Sequence, residues 1–142
     1  MPRRTQRYSK IGDTMKTIDL SGKWNYKTDI DDSQTIDSIK FENNNFNLPG
    51  STCDNRIGKK TEYFDKISKE AVRAPRERYE YIAPLWLQKK VNIPNDTDGK
   101  NVRLFMERVN IASELWIDGV KTDRQIIELS TPHIYNLTGK IT

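Results

Sequence analysis

Five residues between positions 76 and 86 have side chains suited to binding a polar, ring-shaped ligand. Tyr79, Tyr81 and Trp86 are closely spaced aromatic residues, and Arg76 and Arg78 lie just before them. Aromatic faces stack on the C–H surfaces of sugar rings, and a guanidinium group donates hydrogen bonds to hydroxyls. Tyr79, Tyr81, Trp86 and Arg78 are therefore the candidate carbohydrate-binding residues. The alternative, which we favour, is that the same rings pack in the interior and at the rim of the fold.

The other residues with reactive side chains predict neither a metal site nor a catalytic nucleophile. His133 is the single histidine and Cys53 the single cysteine, whereas zinc sites combine several His and Cys ligands. No serine or cysteine motif supplies a nucleophile for His133, and no neighbouring histidine or helix N-terminus is expected to activate Cys53. The pair at 31–32, Asp-Asp, is typical of a turn. We expect a structural His133, an inert Cys53, no catalytic residue, no metal and no cofactor.

The positive charge of the chain is concentrated at its N-terminus. The net charge is +4 at pH 7, and residues 1–14 contribute +3 of it. They contain four basic residues, Arg3, Arg4, Arg7 and Lys10, and one acidic residue. The remainder carries only +1 and projects no strong field towards a polyanion. Nucleic-acid binding would therefore have to use this arm, and we expect no nucleic-acid partner.

The sequence predicts neither a membrane span nor a secretory signal. No stretch approaches the roughly 20 apolar residues of a spanning helix, and no apolar segment follows the basic N-terminus. A single cysteine excludes an internal disulfide and gives no sign of an oxidising compartment. We expect a cytoplasmic protein, or a secreted or periplasmic one if the true start differs. Met15 is a candidate start, which makes residues 1–14 either a disordered basic arm or a false extension.

Alternating apolar and polar residues predict β-strands along most of the chain. Ile18, Leu20, Trp24 and Tyr26 share one parity, with Gly22 as a bend or bulge. Further strands are expected at Phe46 and Leu48 and over residues 86–93, 102–106, 115–117 and 134–137.

Turn signals separate these strands, and one segment lacks a β pattern. Pro-Gly at 49–50, residues 94–99 and Asp-Gly at 118–119 predict turns. Residues 53–80 predict a solvated loop or a short helix capped by Thr61, with three apolar residues on one face, Phe64, Ile67 and Ala71. Short strands and frequent turns predict an all-β fold, an antiparallel jelly-roll β-sandwich.

Four short motifs follow one another along residues 18–138. They are Leu20-Ser21-Gly22-Lys23-Trp24; Leu48-Pro49-Gly50-Ser51; Tyr79-Glu80-Tyr81 through Trp86, followed by Val91-Asn92-Ile93-Pro94; and Leu115-Trp116-Ile117-Asp118-Gly119. In this order they resemble the N-terminal sugar-binding domain of family 2 of the glycoside hydrolases, which includes β-galactosidases, β-glucuronidases and β-mannosidases. No single motif is specific, but the ordered set is.

The resemblance implies that residues 15–142 form a galactose-binding-domain-like jelly-roll β-sandwich without catalytic residues. In that family the two catalytic carboxylates lie on a later (β/α)₈ barrel, beyond an immunoglobulin-like domain. We also expect the sequence to stop before the final strand that closes the sandwich. The chain would then be a fragment of a β-glycosidase that supports hydrolysis of O-glycosyl bonds, with a β-linked carbohydrate or the rest of its own enzyme as partner.

Two other functions stay open at this point. A free-standing carbohydrate-binding module needs an accessible aromatic platform at Tyr81 and Trp86. Nucleic-acid binding needs the basic arm, residues 1–14, and would weaken steeply with salt. The sequence names neither the sugar nor the oligomeric state.

Overall fold

The computed structural model describes residues 15–61, 69, 78–97, 99–122 and 124–141. Its strands pair antiparallel in several sheets, which confirms the expected all-β class. A 3₁₀ turn covers Asn95–Thr97, and no helix in these residues is long and apolar enough to cross a membrane. The strands are β1 (Gly22–Thr28), β2 (Glu42–Leu48), β3 (Lys59–Lys60), β4 (Tyr79–Glu80), β5 (Leu85–Gln88), β6 (Arg103–Met106), β7 (Ala112–Ser113), β8 (Trp116–Ile117), β9 (Val120–Lys121), β10 (Ile126–Ile127) and β11 (His133–Asn136).

Strand β1 is the centre of a three-stranded sheet with the order β2-β1-β5. Gly22 pairs with Leu48 at one end of β1, and Thr28 pairs with Leu85 at the other. The first three sequence motifs therefore meet in one sheet, because they contain β1, the end of β2 and β5. Two-stranded ribbons make up the rest of the described strands: β3–β4, β6–β11, β7–β10 and β8–β9.

The interior of the fold is small. Between β1 and β2, the rings of Tyr26 and Phe46 lie 6.2 Å apart, and Phe46 is 3% exposed. A lean core agrees with a hydrophobic content of 35%, below the roughly 45–50% of an average globular domain. In the described part of the chain, the buried apolar residues are Phe46, Ile57, Ile126 and Tyr135.

Two predicted strands are shorter in the structure, and the strand predicted at Phe46 and Leu48 is longer, since β2 begins at Glu42. The alternation predicted a strand from Ile18, but β1 begins at Gly22, whose φ of +100° breaks the extended path, and Ile18 is exposed. The strand predicted over residues 86–93 ends at Gln88. Just beyond it, the ammonium group of Lys89 binds backbone carbonyls of the segment that leads into β1, those of Leu20, Ser21 and Lys23.

The other predicted strands lie where the alternation indicated. Strand β6 alternates exposed and half-buried residues, and β11 buries His133 and Tyr135 on one face. Asp118 and Gly119, at φ +49° and +84°, form the predicted hairpin turn between β8 and β9. The short ribbons β3–β4 and β7–β10 were not predicted. The helix expected after Thr61, apart from Lys69, and the basic arm lie outside the described residues.

Candidate functional site

Trp86 lies at the centre of a cluster that joins three distant segments, formed by Asp29, Tyr81, Trp86 and Trp116. Its Nε1 donates a hydrogen bond of 3.1 Å to Oδ2 of Asp29 in the loop after β1. Its ring centroid is 4.7 Å from that of Trp116 in β8, at an interplanar angle of 42°. Trp86 thus uses both its polar edge and part of its ring surface within the chain. We call these four residues the Trp86 cluster.

Asp29 supplies a buried carboxylate to the Trp86 cluster and is 3% exposed. Oδ1 accepts hydrogen bonds from the backbone amides of Ser33, at 2.9 Å, and Gln34, at 3.2 Å. Burial raises the pKa of Asp29, but the Trp86 indole and the two amides outweigh it, so the pKa lies below its ordinary value. Asp29 is therefore an anion that organises a turn and has no proton to donate near neutral pH.

Tyr81 completes the Trp86 cluster through its hydroxyl. The hydroxyl oxygen accepts a 3.0 Å hydrogen bond from the Asp29 backbone amide and donates to the Pro84 carbonyl. Burial raises the pKa of Tyr81; the Asp29 amide partly offsets this, and the Asp29 carboxylate adds to it, so the pKa is above its ordinary value. The hydroxyl is protonated at neutral pH and has both a donor and an acceptor within the chain.

The other two candidate carbohydrate-binding residues lie on a different ribbon. Tyr79 is half-buried in β4 and pairs with Lys60 of β3. Arg78 is exposed, and its carbonyl accepts a 3.0 Å hydrogen bond from the Thr61 amide. Of the four candidates, the structure brings Tyr81 and Trp86 into one cluster and assigns Tyr79 and Arg78 to the β3–β4 ribbon. Arg76 lies outside the described residues.

Trp116 extends the Trp86 cluster towards the surface. The ammonium group of Lys121, its partner across the β8–β9 hairpin, is 5.2 Å from the centroid of the Trp116 ring. The same ammonium group lies 2.9 Å from Oε1 of Glu114. A cation over an indole face is attracted by the ring quadrupole, so this contact stabilises Trp116 within the β8–β9 hairpin. Neither Trp116 nor Asp29 was expected as a site residue, although Trp116 belongs to the fourth motif.

The turn of the second motif is held by side chains that follow it. The peptide bond between Leu48 and Pro49 is cis. The side chain of Asn55 bonds to the Asn47 backbone as a neighbouring strand would. Its Oδ1 accepts from the Asn47 amide at 2.6 Å, and its Nδ2 donates to the Asn47 carbonyl at 3.1 Å. Asp54 accepts from the Ser51 amide and hydroxyl, at 2.8 and 2.9 Å, and these bonds lower the pKa of Asp54.

A serine and a histidine form a second polar cluster between two ribbons. Ser113 Oγ lies 2.7 Å from Nδ1 of His133, and Nε2 of His133 lies 3.0 Å from the Glu128 carbonyl. Since a carbonyl only accepts, Nε2 carries a proton, and in a neutral imidazole Nδ1 then accepts from the Ser113 hydroxyl. Tyr135 donates to the Ser113 carbonyl at 2.7 Å. These contacts resemble the nucleophile–base pair of a hydrolase.

The position of His133 determines what this pair can do. The side chain is 0% exposed, so a substrate has no path to the imidazole in this conformation. Its two nitrogens have partners in β7 and in the loop before β11, which fits the structural role predicted for His133. Within the described residues, no group of three or more His, Cys, Asp or Glu side chains could hold a metal ion.

A comparison with models of known protein families gives no match, and a comparison with curated proteins finds none with significant similarity.

Proposed function

We propose that this chain is a non-catalytic, jelly-roll β-sandwich domain of a family 2 β-glycosidase, and that it supports hydrolysis of O-glycosyl bonds by another domain. The observation that carries the proposal is the contact between Trp86 and Trp116, whose ring centroids are 4.7 Å apart. These residues belong to the third and fourth motifs of the resemblance. Residues that contact each other in the fold tend to be conserved within a family. Motif matches that arise by chance would not be expected to contact each other.

The first two motifs support the same proposal. Gly22 and Leu48, one from each motif, are directly paired across β1 and β2. Gly22 has a φ of +100°, a conformation that side-chain-bearing residues rarely adopt. Gly119 of the fourth motif, at φ +84°, also has a backbone conformation that favours glycine. Gly22 and Gly119 therefore occupy positions where the backbone conformation favours glycine, whereas Gly50, whose φ is not positive, lies where a Cβ would come within 2.7 Å of the Asn47 carbonyl oxygen.

The use of the acidic residues supports a non-catalytic role. A retaining glycosidase needs two carboxyl groups about 5–5.5 Å apart, with one accessible as nucleophile. Asp29 binds an indole and two amides, Asp54 binds Ser51, and Glu114 binds Lys121. Each of these carboxylates has hydrogen-bond or ion-pair partners within the chain. We expect the catalytic acid and nucleophile to lie on the barrel of the whole enzyme.

The contacts of Tyr81 and Trp86 do not favour the alternative of a free-standing carbohydrate-binding module. The Tyr81 hydroxyl and the Trp86 indole nitrogen are bonded within the chain, and the Trp86 ring packs on Trp116. A stacking platform needs a free aromatic face and free polar neighbours. We assign these rings to the stability of the domain. A β-linked sugar would then contact the rim of the domain and the barrel of the whole enzyme together.

Enzyme assays with the full chain test this proposal. The chain should release no chromophore from nitrophenyl β-galactoside, β-glucuronide or β-mannoside, while an intact β-glycosidase serves as the positive control. Turnover that is lost when one carboxylate of this chain is replaced by its amide would overturn the proposal, because the chain would then carry its own catalytic residue.

A further inference from the structure

A cleft of about 490 Å³ opens beside the β6–β11 ribbon, formed by residues outside the Trp86 cluster. Its volume is within the roughly 300–1,000 Å³ range of small-molecule sites. The lining includes Arg103, Thr122, Arg124, Ile134, Asn136 and Lys140. The cleft therefore combines side chains from β6, from β11 and from the segments that follow β9 and β11.

The charged side chains among the described lining residues of the cleft are all cationic. Arg103, Arg124 and Lys140 are cationic, and none of the described lining residues is acidic. Arg103 lies directly opposite Asn136 across the β6–β11 pairing. Neither arginine takes part in the ion pair between Lys121 and Glu114. Two arginines at one cleft favour an anionic ligand over a neutral one.

Two uncharged groups add to this set of donors. Oδ1 of Asn136 accepts a 3.1 Å hydrogen bond from the Thr138 amide, so the Asn136 side chain has its Nδ2 donor for other groups. Oγ1 of Thr122 is buried and has no hydrogen-bond partner among the described residues. Buried hydroxyls nearly always have a partner. Thr122 lines the cleft, so its hydroxyl is an unsatisfied donor beside the proposed ligand site.

We propose that this cleft binds a small ligand through an oxyanion, that is, a carboxylate, sulfate or phosphate group. A guanidinium group matches such a group with two parallel N–H···O bonds, and Arg103 and Arg124 supply two guanidinium groups. Ile134, 42% exposed, gives the cleft an apolar wall for a carbon skeleton. The proposal does not depend on the glycosidase assignment, since it concerns a separate set of residues.

Titration of the ¹⁵N-labelled full chain followed by nuclear magnetic resonance tests the proposal. The ligands are sodium sulfate, sodium glucuronate and glucose, at an ionic strength held constant with sodium chloride. Sulfate and glucuronate should give saturable shifts of the amides of Arg103, Arg124 and Asn136, and glucose should give none. Tighter binding of glucuronate identifies an organic acid as the natural ligand class, and tighter binding of sulfate identifies an inorganic or ester-borne anion. Absent or unsaturable shifts, or equal shifts with glucose, would overturn the proposal.

Substitutions separate a specific site from general positive charge. Arg103→Gln and Arg124→Gln should each weaken binding about tenfold, as expected for one lost charge-assisted contact. Arg108→Gln removes the same charge from an exposed residue that does not line the cleft, and it should leave the affinity unchanged. Thr122→Val preserves the shape of the side chain and should weaken binding while the fold is retained. Equal weakening by Arg108→Gln, or wild-type affinity in the Arg103→Gln and Arg124→Gln double variant, would refute the site. Both arginine side chains are exposed, and either single variant suffices if the other fails to fold.

Discussion

The indole nitrogen of Trp86 donates a 3.1 Å hydrogen bond to Oδ2 of Asp29, and this bond joins β5 to the turn that follows β1. The Tyr81 hydroxyl accepts a hydrogen bond from the Asp29 amide, and the Trp116 ring packs against the Trp86 ring. A change at Asp29 or Trp86 therefore affects the turn, the strand and the aromatic pair together. Stability is the property that we expect such changes to alter first.

Replacing Asp29 by asparagine keeps the size of the side chain but removes its charge. The carboxylate accepts hydrogen bonds from N–H groups of Trp86, Ser33 and Gln34. The amide nitrogen of an asparagine cannot accept a hydrogen bond, so at least one of these N–H groups would lose its acceptor. We expect the melting temperature to fall by several degrees at pH 7, measured by circular dichroism. Asp31→Asn, at an exposed position in the same turn, is the matched control and should change it little. Equal losses in both variants would assign the effect to net charge.

The pH dependence of stability follows from the lowered pKa of Asp29. The pKa of Asp29 is lower in the folded than in the unfolded chain. The contribution of Asp29 to folding stability is therefore complete above the pKa of the unfolded chain, about 3.9, and is lost as the pH falls through the pKa of the folded chain. The difference in urea midpoint between wild type and Asp29→Asn should therefore narrow below about pH 4. Asp54 titrates in both proteins, so its effect cancels. A difference that stays constant from pH 7 to pH 2 would contradict this sign.

Two substitutions of Trp86 distinguish its hydrogen bond from its packing. Trp86→Phe removes the indole N–H but keeps an aromatic ring beside Trp116, and we expect a loss of roughly 1–2 kcal/mol in the free energy of unfolding. Trp86→Ala removes both contacts and should cost roughly 3 kcal/mol or more. Urea unfolding measures both. A stable Trp86→Ala variant that has lost only sugar binding would instead identify Trp86 as an exposed stacking platform.

Gly22 and Gly58 have nearly equal φ angles, +100° and +103°, in different surroundings. A Cβ atom on Gly22 would meet no atom within 4 Å, whereas on Gly58 it would lie 2.2 Å from the Glu80 carbonyl oxygen. Gly22→Ala should cost roughly 1–3 kcal/mol through backbone conformation alone. Gly58→Ala should cost clearly more, because β3 has to move away from β4. Similar unfolding free energies for the two variants would show that the β3–β4 contact does not constrain Gly58.

Replacing Ser113 by alanine leaves the buried Nδ1 of His133 without its donor. We expect a loss of roughly 1–3 kcal/mol in the free energy of unfolding, with Ser130→Ala, at an exposed position, as the control. A fluorophosphonate probe should not label wild-type Ser113, because His133 is enclosed. Labelling that disappears in Ser113→Ala would show an active nucleophile and contradict a structural role.

Local patterns predicted the parts of the fold that depend on neighbouring residues. Asp118 and Gly119 form the expected hairpin because their residue types tolerate positive φ. Strand β6 lies where Leu104 and Met106 alternate with Arg103 and Phe105. In these cases the turn chemistry and the period of two act within a few residues, so one short segment is sufficient for the prediction.

Long-range contacts explain what the sequence could not predict. Asp29 lay in an acidic loop, and its burial depends on the Trp86 indole nitrogen, which is distant in sequence. Directly after β5, the Lys89 ammonium group binds the carbonyls of Leu20, Ser21 and Lys23, which are more than 60 residues away in sequence. The cationic cleft likewise depends on the pairing of β6 with β11, which places Arg103 opposite Asn136. No local pattern contains these pairings.

Sequencing the coding DNA beyond the codon for Thr142 in its source tests the central proposal most directly. We expect the reading frame to continue into an immunoglobulin-like domain and a (β/α)₈ barrel that carries the two catalytic carboxylates. A stop codon directly after Thr142, or continuation into a domain of another class, would contradict the assignment of this chain to a β-glycosidase.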